Sequence, residues 1–107
     1  KKELSRASLE TLSINLYKSG ITRAEIDWIR GVNSSFILRQ LLIRGLIERE
    51  THPTDTRRYI YRSSFELIKY LGITKLEELP RFTEMQEILN KNLVSSEVEA
   101  QELVDEK

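Results

Sequence analysis

Residues 21–49, ITRAEIDWIRGVNSSFILRQLLIRGLIER, hold two apolar helical segments, each closed by a glycine, followed by a change of period. Thr22, with Glu25 three positions on, carries the reciprocal signature of a helix start, and Ile21 and Ile26 form the apolar pair that brackets it. The helix predicted over Arg23–Arg30 ends at Gly31, in the left-handed turn that only glycine adopts cheaply. Asn33 or Ser34 then caps a helix that continues to Arg44 before Gly45 stops it. From Leu46 apolar and charged residues alternate (LIERE), the polar THPTDT follows, and RRYIYRS is aromatic and β-branched, a pattern that predicts a β-hairpin. Short helix, tight turn, second helix and hairpin together predict an α+β, mainly α fold: a winged helix-turn-helix with a two-stranded β-hairpin wing and additional C-terminal helices.

The flanking segments extend this plan. Ser5, between Leu4 and Leu9, reads as an N-cap with a hydrophobic staple, and Leu9, Leu12 and Leu16 recur at helical spacing up to about Lys18, with Gly20 beyond. Ser63 with Glu66 predicts a capping box that opens SFELIKYLG, and Thr74 with Glu77 one further turn before Pro80. Thr83 with Gln86 predicts the start of a last helix, on which Phe82, Met85, Ile88, Leu89 and Leu93 form an apolar stripe. The expected division is a winged-helix domain over 1–80, an amphipathic helix over 81–94, and an acidic, disordered tail over 95–107.

A chain of 107 residues with 39% hydrophobic content has room for one small core. Its 17 basic and 17 acidic residues cancel, which argues against a dedicated nucleic-acid binder with a strongly basic field. The distribution is uneven: residues 1–80 carry 14 Lys and Arg against 10 Asp and Glu, residues 81–107 carry 3 against 7. With no cysteine there is neither a disulfide framework nor a thiolate zinc site. No apolar run approaches the roughly 20 residues of a membrane span, and KKELSRAS lacks the apolar stretch of a signal peptide, so a soluble cytoplasmic protein is expected. The first residue is Lys, not Met, which suggests a piece of something longer.

Catalytic chemistry finds little to work with. His52 is the sole histidine and lies in the wing loop beside Pro53, where it reads as a solvated loop residue; with Asp55 it supplies too few ligands for a metal. The four glycines each stand at a helix end, so none belongs to a phosphate-binding loop. A non-enzymatic protein without cofactors is the reading.

RASLETLSINLYKSGITRAEIDWIRGV, the RQLLIRGLIER after it, and YRSSFELIKYLGITKLEELP resemble, in order and spacing, the segregation and condensation protein B family over about residues 5–80. ITRAEI, IRGV, LLIRGLI and the LEELP ending are the most specific words. The resemblance implies the second, C-terminal winged helix of that family and a non-enzymatic role in the bacterial SMC complex, which compacts and segregates chromosomes. It implies the kleisin subunit, segregation and condensation protein A, as direct partner, the SMC ATPase as an indirect one, and a location in the cytoplasm at the nucleoid. This sequence departs from the family in three ways. THPTDTRRYIY keeps only Arg57 of a Gly-Arg-Pro wing turn. The first winged helix, which the family uses to form a homodimer, is outside this chain. Phe36 and Ile43 are bulky where relatives carry small or polar residues.

On a helical wheel Ser34, Leu38, Leu41 and Leu42 face one side of the second helix of the motif, while Phe36, Arg39, Gln40 and Ile43 face the other. A DNA-reading helix would carry polar and basic residues there, with Arg39 the one candidate for a bidentate contact to guanine. Two alternatives remain open for Phe36 and Ile43: cover by the stripe of the last helix, or a docking surface for the kleisin or a second copy, with Arg39 and Gln40 as polar rim. Trp28 lies off the Ile26 and Ile29 face, either as an interface anchor or packed against the first helix. The competing function is a winged-helix transcriptional regulator that reads DNA through Arg39, Arg57, Arg58 and Arg62. Against it, Glu48 and Glu50 offset the wing charge, and alternation places Tyr59 and Tyr61 inward as strand core, with Arg58, Ile60 and Arg62 opposite. DNA contact is therefore expected to be weak or indirect.

Overall fold

A computed structural model describes the backbone of residues 4–105 and the side chains of residues 4–93. Its elements in chain order are α1 (Arg6–Tyr17), β1 (Ile21–Thr22), α2 (Arg23–Arg30), α3 (Ser35–Ile43), β2 (Ile47–Thr51), β3 (Tyr59–Ser63), α4 (Phe65–Tyr70), a 3₁₀ turn (Leu76–Glu78) and α5 (Phe82–Asp105). The predicted hairpin is β2 and β3, paired antiparallel with Ile47 opposite Ser63 and Thr51 opposite Tyr59. It gains a third strand: β1 pairs with the other edge of β3, Ile21 opposite Tyr61 and Thr22 opposite Ile60, in the order β1-β3-β2. Two residues are too few to show a strand period, so β1 left no trace in the alternation pattern.

Helix starts follow the local chemistry, with shifts. Ser5 caps α1 by accepting the Ser8 N–H, and Thr22 and Glu25 complete a reciprocal capping box on α2. Leu9 is exposed while Leu4 packs on the core; the buried residues of α1 are Ser8, Thr11, Leu12, Ile14, Asn15 and Leu16. The cap of α4 is Ser64, whose hydroxyl accepts the Leu67 N–H, one residue beyond the predicted Ser63. Thr74 engages Glu78, not Glu77. Thr83 lies inside α5, which begins at Phe82 directly after Arg81, a residue of positive φ. In both cases the three-residue spacing picks the neighbour of the residue the fold uses: Ser64 caps with Leu67, not a Glu, three positions on, and Thr74 meets an acid four positions on. Beyond residue 94, where the amphipathic helix was expected to end, α5 stays helical to Asp105. Residues 95–105 contain neither Gly nor Pro and are rich in strong helix formers. Residues 106 and 107 of the expected tail lie outside the described residues.

The core joins Leu12, Leu16, Ile21, Ile26, Leu38, Leu41, Ile47, Tyr61 and Leu67, drawn from every element up to α4. Each such side chain contributes about 1.5 to 3 kcal/mol on burial. On β3 Ile60 and Tyr61, which face opposite sides of the strand, are both buried, while Tyr59 is exposed, so of the two tyrosines expected to pack inward only Tyr61 joins the core. The reason lies at the end of the strand: β1 pairs only with Ile60 and Tyr61, so Tyr59, the first residue of β3, has Thr51 of β2 as its one strand partner. Helix α5 packs against α2 and α1, with Leu89 and Leu93 buried and Ile88 exposed. The Tyr17 ring meets Phe82 at 6.1 Å, and the Tyr17 hydroxyl donates to the Pro80 carbonyl at 2.9 Å.

A polar junction sits inside this apolar frame. Asn15 is 0% exposed; its Nδ2 donates to the Tyr61 carbonyl at 2.9 Å, and the Ser63 hydroxyl donates to its Oδ1 at 3.0 Å. The Gly20 N–H reaches the same carbonyl at 2.8 Å, so α1, the turn after it and β3 meet at one point. Replacing Asn15 with Ala removes both bonds and leaves a void. The expected loss is about 2 to 3 kcal/mol in urea unfolding at unchanged slope.

Candidate protein-binding face

The presentation of α3 is set at the turn before it. Ser34 is buried at the N-cap position but makes no cap bond of its own; its hydroxyl accepts from Arg30 Nη1 at 3.0 Å, and its N–H donates to Asp27 Oδ1 at 2.8 Å. Asn33 supplies the local turn by accepting the Ser35 N–H at 2.9 Å. Arg30, whose side chain is 8% exposed, also reaches Glu10 on α1 at 2.7 Å. From the first turn of α2, Arg23 donates to the Ser35 hydroxyl at 2.7 Å and pairs with Asp27 at 3.3 Å. Three helices are thus tied by charge-assisted bonds around one buried hydroxyl. Sequence reading placed none of Arg30, Asp27 or Ser34 in this role: an arginine in a last helical turn looks like a helix-dipole partner, and nothing in the spacing marks Glu10, twenty residues earlier, as its mate.

Held in this way, α3 turns Leu38 and Leu41 into the core, with Leu42 partly buried beside them. On its opposite face Phe36 is 66% and Ile43 73% exposed, Arg39 is exposed, and Gln40 is half-buried between them. The last helix does not cover this face, because it lies across α2 and α1. Arg39 makes no ion pair among the described residues. Trp28 is 44% exposed on α2, and Val32 is exposed in the α2–α3 turn.

The wing arginines are engaged within the fold. Arg57 and Arg58 both reach the Asp55 carboxylate, at 3.1 and 3.4 Å, Arg62 pairs with Glu50 across the hairpin at 3.2 Å, and Arg49 stacks 4.1 Å from the Tyr59 ring centre. That cation–π contact accounts for the outward turn of Tyr59. His52, expected to be solvated, is half-buried and organises the loop: its ring Nδ1 accepts the Thr54 and Asp55 N–H groups at 3.1 and 3.2 Å, and its backbone N–H donates to the Arg58 carbonyl. Among the described residues no cluster of His, Cys, Asp or Glu could hold a metal, and no helix is long and apolar enough to cross a membrane.

An apolar outer face on the second helix of the motif, a three-stranded wing sheet and a helix laid back over α1 and α2 define a winged-helix domain. The crystal structure of MarR shares this fold at a TM-score of 0.58 and 26% identity, over 96% of this chain and 78% of that one. A family model described as segregation and condensation complex subunit ScpB matches residues 1–82, and the chain belongs to that family. Segregation and condensation protein B of Streptococcus gordonii is 42% identical over 104 residues, 95% of this chain and 55% of the relative. The crystal structure of ScpB from Mycobacterium tuberculosis superposes at a TM-score of 0.64 with 36% identity, over 69% of this chain and 46% of that one. The chain spans about half the length of the curated relatives it matches.

The loop electrostatics carry a pH signature. Hydrogen bonds from the Arg57 side chain and then from its backbone N–H hold the Asp55 carboxyl below its ordinary 3.8, burial opposes them, and the charges of Arg58 and His52 add to the lowering. Because the folded value lies below the unfolded one, the contribution of this carboxylate to wing order is complete above pH 3.8 and is lost as pH falls through the lower folded value. A carbon-detected NMR titration should show Asp55 ionising below 3.8, and Arg57→Ala should move it back toward that value.

Proposed function

We propose that this chain is a non-enzymatic subunit of the bacterial SMC–kleisin complex, acting at the nucleoid in chromosome condensation and segregation, and that the outer face of α3 binds the kleisin, segregation and condensation protein A. The observation that carries this reading is the exposure of Phe36 and Ile43, at 66% and 73%, on the face where a DNA-reading helix would present polar groups. Two such side chains, two helical turns apart, offer about 3 to 6 kcal/mol on burial before the costs of ordering. Arg39 and Gln40 form the polar rim, and Trp28 on the neighbouring helix extends the contact as an anchor. Asp55 and Glu50 beside the wing arginines offset the positive field that a phosphate backbone would meet, which supports a protein contact over a strong phosphate contact. A non-enzymatic role is supported by His52, whose ring nitrogen is spent on loop backbone.

Phe36→Ser and Ile43→Ser should each weaken kleisin binding about tenfold or more in calorimetry, a loss of about 1.4 kcal/mol or more. Being exposed, each should change unfolding free energy by no more than about 0.5 kcal/mol. Unchanged affinity in both variants removes the α3 face from the kleisin contact. Duplex retention at moderate salt without kleisin capture would favour the DNA-binding regulator instead.

A further inference from the structure

A cleft of about 300 Å³ opens between the first turn of α2 and the end of the wing, away from the Phe36 and Ile43 side chains. Three guanidinium-bearing side chains line it, Arg23 from α2 and Arg57 and Arg58 from the wing, together with Tyr59 and Tyr61 of β3. No carboxylate lines it. The acids that touch these arginines are Asp27, against Arg23, and Asp55, shared by Arg57 and Arg58, so three cations face two anions. Glu25, the remaining acid of the first turn, is folded back onto the N–H and hydroxyl of Thr22.

We infer that this cleft is a second binding site, which takes an acidic side chain from an extended segment of a protein partner. Guanidinium groups match a carboxylate in two-point geometry, and Arg57, whose side chain is 88% exposed, is free to turn from Asp55 to an incoming acid without disturbing the core. The tyrosine rings give the methylene groups of a glutamate an apolar surface, which a bare phosphate would leave unused. Size and shape point the same way: the space exceeds that of one phosphate group and is recessed, whereas a DNA backbone tracks an exposed basic surface. Arg23 also bonds Ser35, the residue before Phe36, so the cleft adjoins the start of α3 and one partner could span both. The site stands independently of the kleisin reading, since it holds whichever protein supplies the acid.

The test is an NMR titration of the 107-residue chain with a short blocked peptide of alternating Glu and Gly, beside its Gln counterpart, inorganic phosphate and a short DNA duplex. The Glu peptide should shift the Nε–H signals of Arg23, Arg57 and Arg58 and the amides of Ala24 and Tyr59 saturably, and the Gln peptide should not. The double variant Arg57→Ala, Arg58→Ala should lower the affinity about tenfold, with the signals of the Phe36 and Ile43 face unmoved. If that variant loses its wing, Arg57→Gln alone makes the same comparison at a solvent-exposed side chain. Silent cleft signals, an equal response to the Gln peptide, tighter binding of phosphate or duplex, or undiminished affinity in the variants would each overturn the inference.

Discussion

The hydroxyl of Ser34 is buried between two helices, and Arg30 supplies the proton it accepts. The same guanidinium reaches Glu10 on α1, and Asp27 takes the Ser34 N–H. A buried arginine is costly unless its donors are used, and here they are used to fix the angle at which α3 leaves α2. Everything about the exposed face follows from that angle. Rotating α3 by one residue, about 100°, would carry Phe36 toward the core and swing Leu38 or Leu41 outward. The apolar core and the apolar surface of one helix are kept distinct by a polar hinge.

Charge is handled in the same economical way across the molecule. A chain with equal numbers of acids and bases could still present a basic stripe, and its wing has the arginines for one. The fold turns them onto Asp55, Glu50 and the Tyr59 ring. What remains exposed and without an ion pair among the described residues on α3 is Arg39, flanked by hydrophobic side chains. Such a surface discriminates by shape and desolvation more than by long-range field, as protein interfaces do and DNA-reading surfaces generally do not.

The helix-turn-helix was legible because its signals are local. Thr22 and Glu25 are three residues apart, Gly31 directly follows α2, and the wheel of α3 separates Leu38 and Leu41 from Phe36 and Ile43 without reference to the rest of the chain. At Ser63 and Ser64 spacing chose the wrong residue: Ser63 has Glu66 three positions on, but its hydroxyl bonds Asn15, and Ser64 caps the helix instead. Features that depend on distant partners were illegible: the strand character of Ile21–Thr22, the outward turn of Tyr59 over Arg49, and the reach of Arg30 to Glu10. The cleft belongs to this group, since Arg23 and Arg57 are far apart in sequence and only the pairing of β1 with β3 brings them together.

Asn15 and the carbonyl it grips are 46 residues apart in the chain. Loop closure on that scale comes late in folding and yields nothing until both ends are in place. The first helix therefore cannot settle its buried Asn15 amide until the hairpin has arrived, and the hairpin's central strand loses a neighbour if that helix is gone. Such mutual dependence makes the domain an all-or-none unit. The first helix, so easily cut out on paper, would take with it the amide that bonds the carbonyl of the sheet's central strand.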